Sequence, residues 1–282
     1  MPSCIINDRE MHYLDQGEGF PLLLGHSILW DSRAWAPQLQ LLSEHFRCIV
    51  PDLWSHGRSQ SVDESGLSIE ALAEEYHLLM QQLGIERYSV LGMSTGGLWG
   101  ARLAMKYPDE VASLTLISCY LGIETPENHG DLLQLINMVE PMDEIPSEVL
   151  DAIVELFFTE ETQALHPALV ETLRFDLMFL SPEQIRGIVA LCRILFQRQS
   201  VLDEIAAIRC PTLLVAGQHD RSHRRAQAEE MAQLMPESQF SVIENAGHML
   251  TLEQPDQVNL LLARFLASID EANVDVSKLV FI

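Results

Sequence analysis

The chain has 282 residues, 48% of them hydrophobic and 21% charged, with a formal net charge of −24. That length suits a single large α/β domain, or one core domain carrying an insertion. With only two lysines, Lys106 and Lys278, so acidic a chain repels phosphate backbones and anionic bilayers, which argues against nucleic acid and membrane surfaces as partners.

In chain order, SCII and MHYLD read as a starting hairpin turning around Asn7–Glu10. FPLLLGHS is a buried strand, followed by a helix over Arg33–Phe46, and RCIVPDL is the next strand. SIEALAEEYHLLMQQLG is a helix with Ser68 as N-cap and Gly84 as its stop. RYSVLGM is a strand, STGGLWGARLAMKYP a helix ended by Pro108, and VASLTLISC another strand. Continuous apolar strands alternating with helices imply a mostly parallel sheet with helices on both faces. From about Gly122 to Arg209 the rhythm breaks into helical pieces, one opened by a capping box with proline at its first position, Ser181-Pro182-Glu183-Gln184. It then resumes with PTLLVAG as strand, a helix over Arg224–Met235, QFSVIEN as strand, and a last helix over about Asp256–Ile269. The expected division is a core of residues 1–121 and 210–282 with an all-helical block, 122–209, inserted between two strands of one sheet.

The cysteines, Cys4, Cys48, Cys119, Cys192 and Cys210, are scattered and mostly set in apolar runs. No CxxC pair, Cys/His cluster, HxH or HExxH occurs, so neither a disulfide framework nor a metal site is expected, and no cofactor is implied. MPSCIINDREMHY lacks the basic and apolar regions of a secretory signal, and no apolar run approaches ~20 residues. The expectation is a cytoplasmic protein, monomer or homodimer, acting on a small molecule.

The chemistry centres on SVLGMSTGGLWG. Ser94 lies where a parallel strand turns directly into a helix, at the strand edge where open α/β sheets bind ligands. Such a turn strains its central residue and crowds the neighbouring Cα atoms, which explains Gly92 and Gly96 on either side. A serine hydroxyl becomes nucleophilic only beside a base that is itself oriented by an acid. LLVAGQHD puts Asp220, and VIENAGHML puts His248, just past the next two strands.

With GMSTG, PDLWSHGRS, GQHD and NAGHMLTLEQP in this order, the sequence resembles the α/β-hydrolase family from about Cys4 to Ile269. The resemblance implies an α/β-hydrolase fold in which the helical block is a lid over the active site. It also implies a Ser94–His248–Asp220 triad and an oxyanion hole built from backbone N–H groups. Thr95, directly after the nucleophile, supplies one N–H. The other comes from Gly25-His26-Ser27-Ile28, where the family usually shows His-Gly-x; Ile28 is the expected donor, with Ser27 as the alternative register. The implied activity is hydrolysis of a small carboxylic ester or lactone through an acyl-enzyme, in the manner of esterases and enol-lactonases. Carbon–carbon bond hydrolases, acyltransferases and haloperoxidases share the triad, and a non-catalytic ligand-binding homologue would keep the pocket. Serine at the elbow, where dehalogenases and epoxide hydrolases carry aspartate, argues against those two.

Phe157, Phe175, Phe179 and Phe196 in the helical block are the candidate substrate-binding residues. His26, His56 and Asp52 are read as loop braces, and His219 as a solvent-facing neighbour of Asp220. Arg174, Arg193 and Arg198 either pair with carboxylates of the block or, for one of them, receive a substrate carboxylate.

Overall fold

Asn7 and Asp8, with left-handed φ of 49° and 63°, turn β1 (Ser3–Ile6) back onto β2 (Arg9–Gln16). Positive φ at both central residues is the turn whose twist matches that of the flanking strands. The hairpin opens a chain for which a computed structural model describes residues 2–63, 66–223 and 225–269, the side chains of Glu127 and Asn128 excepted.

The elements follow the expected alternation. β3 (Phe20–Gly25) leads to α1 (Ala36–Leu42), β4 (Phe46–Pro51) to α2 (Ile69–Gln82), and β5 (Tyr88–Met93) to α3 (Thr95–Lys106). β6 (Val111–Ile117) is followed by α4 (Pro126–Val139), α5 (Ser147–Phe157), α6 (Glu160–Leu165), α7 (Pro167–Met178) and α8 (Pro182–Phe196). β7 (Thr212–Gly217), α9 (Arg225–Leu234), β8 (Gln239–Ile243), α10 (Leu250–Glu253) and α11 (Pro255–Ala267) complete the described chain.

The strands form one eight-stranded sheet in the order β1-β2-β4-β3-β5-β6-β7-β8. β2 runs antiparallel to β1 and β4, and every later pairing is parallel. β5, β6 and β7 are buried at every position, as strands covered on both faces must be. Capping is as the sequence implies. Ser68 accepts from the Ala71 N–H, Gly84 takes φ +69°, and Ser181 and Gln184 close a reciprocal box.

One helix is shorter than expected. Arg33–Phe46 resolves into a 3₁₀ turn, Ser32–Trp35, and α1, which ends at Leu42. Ser43 turns its hydroxyl onto the Leu39 carbonyl (2.6 Å), and Phe46 is drawn into the ladder opposite Phe20. Strand pairing outweighs the local helical pattern there. The β3 ladder likewise stops at Gly25, so His26 and Ser27 belong to the loop. Arg224, expected to open a helix, and the chain after Ile269 lie outside the described residues.

Between β6 and β7 the described chain is helical and carries no strand, and α4 packs on α8. Among the described residues no helix is long and apolar enough to cross a membrane.

Candidate active site

Gly25, at the end of β3, stands opposite Gly92, near the end of β5, so the loops leaving the two strands emerge side by side. A Cβ on Gly96 would overlap the Gly25 carbonyl, and one on Gly92 would overlap that of Gly96. The absence of side chains lets β3, β5 and the first turn of α3 come together. Ser94 sits at this junction with φ 52° and ψ −112°, a conformation that costs an L-residue energy and is held by its surroundings. Its N–H donates to the Ile117 carbonyl (2.9 Å), and its own carbonyl accepts from Gly97 and Leu98. Its hydroxyl has no hydrogen-bond partner among the described residues and lines a cavity of about 100 Å³.

His248 lines the same cavity. Its Nδ1 lies 3.1 Å from Oδ2 and 3.3 Å from Oδ1 of Asp220, and both side chains are buried. Oδ1 also accepts from the N–H groups of Ser222 and His223 (2.9 Å each). Burial works against ionising Asp220, but the His248 and His223 rings and these donors prevail and hold its carboxyl below the ordinary aspartate value. With Nδ1 committed to the carboxylate, Nε2 is the ring nitrogen left to accept a proton. The loop bearing His248 is tied to the helical block: the His248 and Met249 N–H groups donate to the Phe157 carbonyl, and the Phe157 ring lies 5.2 Å from the imidazole. Buried Glu253 adds a second tie, accepting from Gly247 N–H on one oxygen and from Thr159 N–H and the Thr162 hydroxyl on the other.

Thr95 and Ile28 also line the cavity. In the loop after β3, Leu29 N–H donates to His56 Nε2 (3.0 Å) and Trp30 N–H to the Ser27 carbonyl, whereas Ile28 N–H has no partner among the described residues. Ser27 is fully buried and is not on the cavity wall. His26 and His56 are braces: Nε2 of His26 accepts from Leu53 N–H, while Nδ1 of each ring meets a carbonyl, of Ser27 and Trp54 respectively. Asp52 accepts from Ser32 and Arg58 N–H. His219 is exposed, as expected.

The four phenylalanines divide. Phe157 and Phe196 line the cavity with apolar residues of α4, α5 and α8. Phe175 and Phe179 do not; they are 61% and 70% exposed, their rings 4.5 Å apart on the outside of α7. The expectation of Phe175 and Phe179 as substrate-binding candidates is corrected, while Phe157 and Phe196 keep that place. α7 buries Val170, Leu173 and Leu177, and residues 175 and 179 fall on its opposite side. Arg174 and Arg193 pair with Asp151 and Glu140 (2.6 Å each), and Arg198 with Glu124 (2.9 Å).

Sequence reasoning overlooked His223. Its ring stacks on His248 at 5.3 Å, and it lines the cavity. Its signal was the spacing alone, because a residue three after an aspartate sits where an Asx turn brings it back. With Asp220 and His248 it forms a group whose potential ligand atoms lie within 4.8 Å of one another, although the sequence shows no metal-ligand spacing.

Burial pushes His223 down to about 4 and His56 down to about 3. Unfolded histidine titrates near ~6.5. The unfolded chain therefore takes up these protons first, and stability falls as pH drops from about 6.5 toward those values. Calorimetric melting temperatures are expected to fall between about pH 7 and pH 5, and less steeply in His56→Gln, which removes one of the two groups. An unchanged slope in that variant would show that His56 does not contribute.

A sequence profile of the Alpha/beta hydrolase family matches residues 17–259. An (E)-2-((N-methylformamido)methylene)succinate hydrolase of Acinetobacter baylyi is 24% identical over 261 residues, 92% of this chain and 95% of that protein. A thermophilic esterase from Thermogutta terrifontis superposes with TM-score 0.86 at 30% identity, covering 95% of this chain and 99% of the esterase. The enol-lactonase from Burkholderia xenovorans LB400 superposes with TM-score 0.85 at 26% identity, covering 95% and 100%.

Proposed function

The chain belongs to the alpha/beta hydrolase family, and we propose that within it the protein is a serine hydrolase cleaving a small carboxylic ester or lactone. One observation carries this reading. A left-handed Ser94 opens α3 on the wall of a cavity that also receives His248, whose other nitrogen is held by buried Asp220. The activities of the similar esterase and enol-lactonase support the bond type.

In this account Ser94 Oγ attacks the substrate carbonyl while His248 Nε2 takes its proton, the contact between them tightening once substrate is bound. Negative charge develops on the carbonyl oxygen, and the N–H groups of Thr95 and Ile28 meet it. Collapse breaks the C–O bond, and the proton on His248 passes to the departing oxygen. Water, deprotonated by the same nitrogen, then releases the acid and restores Ser94. Asp220 keeps Nδ1 protonated and stabilises the imidazolium of each step. Residues 122–209 serve as the lid, with α4, α5 and α8 excluding water from the acyl group.

The test is turnover of short p-nitrophenyl esters and of enol- and acyl-homoserine lactones by the purified protein. Hydrolysis of esters or lactones is the expected result; activity confined to amides or carbon–carbon bonds would overturn the substrate class. The acyl wall gives a second expectation. Phe196→Ala should shift preference between adjacent ester lengths by about 1–3 kcal/mol in kcat/KM per methylene-sized change, whereas Phe175→Ser and Phe179→Ser leave the profile flat. A flat profile in Phe196→Ala would place the acyl group elsewhere.

A further inference from the structure

The cavity is apolar over most of its wall, but one part is ionic. From His248 the wall runs to the stacked His223 ring, then to Glu124, whose Oε1 lies 3.7 Å from His223 Nε2, and then to Arg198, 2.9 Å from the same oxygen. The Glu124 and Arg198 side chains are only 2% and 7% exposed. Arg198 is fixed further by the carbonyls of Leu195 and Tyr120. The set is nevertheless unfinished, because Glu124 Oε2, Arg198 Nε and His223 Nδ1 are buried without a hydrogen-bond partner among the described residues. Buried polar atoms are nearly always paired, and leaving three together is costly.

Charge selects the partner. Glu124 already neutralises Arg198, and His223 is uncharged at neutral pH because burial and the adjacent His248 depress it. A substrate carboxylate would add a second anion opposite one cation, which disfavours it. Arg198 Nε–H offers a donor, and Glu124 Oε2 an acceptor. A group presenting both an acceptor and a donor, without charge, completes them.

We propose that Glu124, Arg198 and His223 form a substrate subsite for a neutral donor–acceptor group, of the carboxamide class, carried on the ester or lactone cleaved at Ser94. The proposal rests on the hydrolase reading above and refines its substrate class.

The test compares kcat/KM for p-nitrophenyl adipamate and pimelamate with that for their isopropyl-ended isosteres and for the corresponding free-acid half esters. Wild type is expected to favour the carboxamide over the isostere by about tenfold or more, with the free acid poorest, since unpaired polar groups reject the analogue that lacks a partner. Glu124→Gln leaves the Arg198 charge uncompensated and should raise the free acid above the carboxamide. Glu124→Gln combined with Arg198→Met, which removes both charges, should abolish the discrimination and guards against a fold lost to one unpaired charge. Equal rates for carboxamide and isostere, or an order unchanged in both variants, would overturn the subsite. Turnover of p-nitrophenyl acetate by wild type reports the hydrolase reading separately. Should that fail, calorimetric binding of hexanamide against hexanoate, in wild type and Glu124→Gln, reads the same preference without catalysis.

Discussion

Ser94→Ala is expected to lower kcat by on the order of 10⁶ while leaving the melting temperature close to that of wild type. The loss is large because the members of such a triad act as a unit. Without the hydroxyl, His248 and the N–H pair have no nucleophile to activate and no tetrahedral adduct to hold. The fold should survive because the hydroxyl makes no hydrogen bond to the described protein, and what holds the turn is backbone: Ser94 N–H to Ile117, and Gly97 and Leu98 N–H to the Ser94 carbonyl. Alanine at φ 52° bears about the same strain as serine does. Matched circular dichroism and steady-state kinetics check both halves of the expectation. Turnover retained within about tenfold of wild type would remove Ser94 from the chemistry.

Asp220→Asn is expected to cost on the order of 10⁴ in kcat, and the reason lies in which oxygen does what. Oδ1 accepts two backbone N–H groups, from Ser222 and His223, so in the amide the remaining oxygen is held at that position. The NH₂ then takes the place of Oδ2, 3.1 Å from His248 Nδ1. A donor there forces Nδ1 to accept, the ring proton moves to Nε2, and the nitrogen that should receive the serine proton already carries one. The shape of the site is kept and its tautomer inverted. kcat measured from about pH 6 to 9 should stay low throughout, because the defect is one of proton placement. Recovery of wild-type rates at high pH would show that Asp220 does not set the tautomer.

The parts of this site legible in sequence were those carried by short, local grammar. A glycine-flanked serine between a strand and a helix, and polar residues just past later strands, need only strand ends to align on one edge, which a parallel sheet guarantees. The same holds for Ser68 and the Ser181–Gln184 box, where the hydrogen bonds are made within one turn. What escaped depends on contacts between distant segments. Gly25 matters because a Cβ there would strike the Trp99 ring and the Gly96 Cα, both far along the chain. Arg198 and Glu124 meet across the whole helical block, so neither residue's neighbours announce the pair. Phe175 and Phe179 show the converse error, since aromatic content in an amphipathic helix does not say which face is covered. Only the phase set by Val170, Leu173 and Leu177 decides that.

Intact-mass spectrometry after reaction with a fluorophosphonate decides whether Ser94 is the nucleophile, because the reagent reports an activated serine whatever the natural substrate. An activated Ser94 gives one adduct per chain, located by peptide mapping on the segment bearing that serine, formed in step with loss of esterase activity and absent from Ser94→Ala. Full inactivation with the adduct on another residue, or an unlabelled Ser94 in protein that still hydrolyses esters, would contradict it.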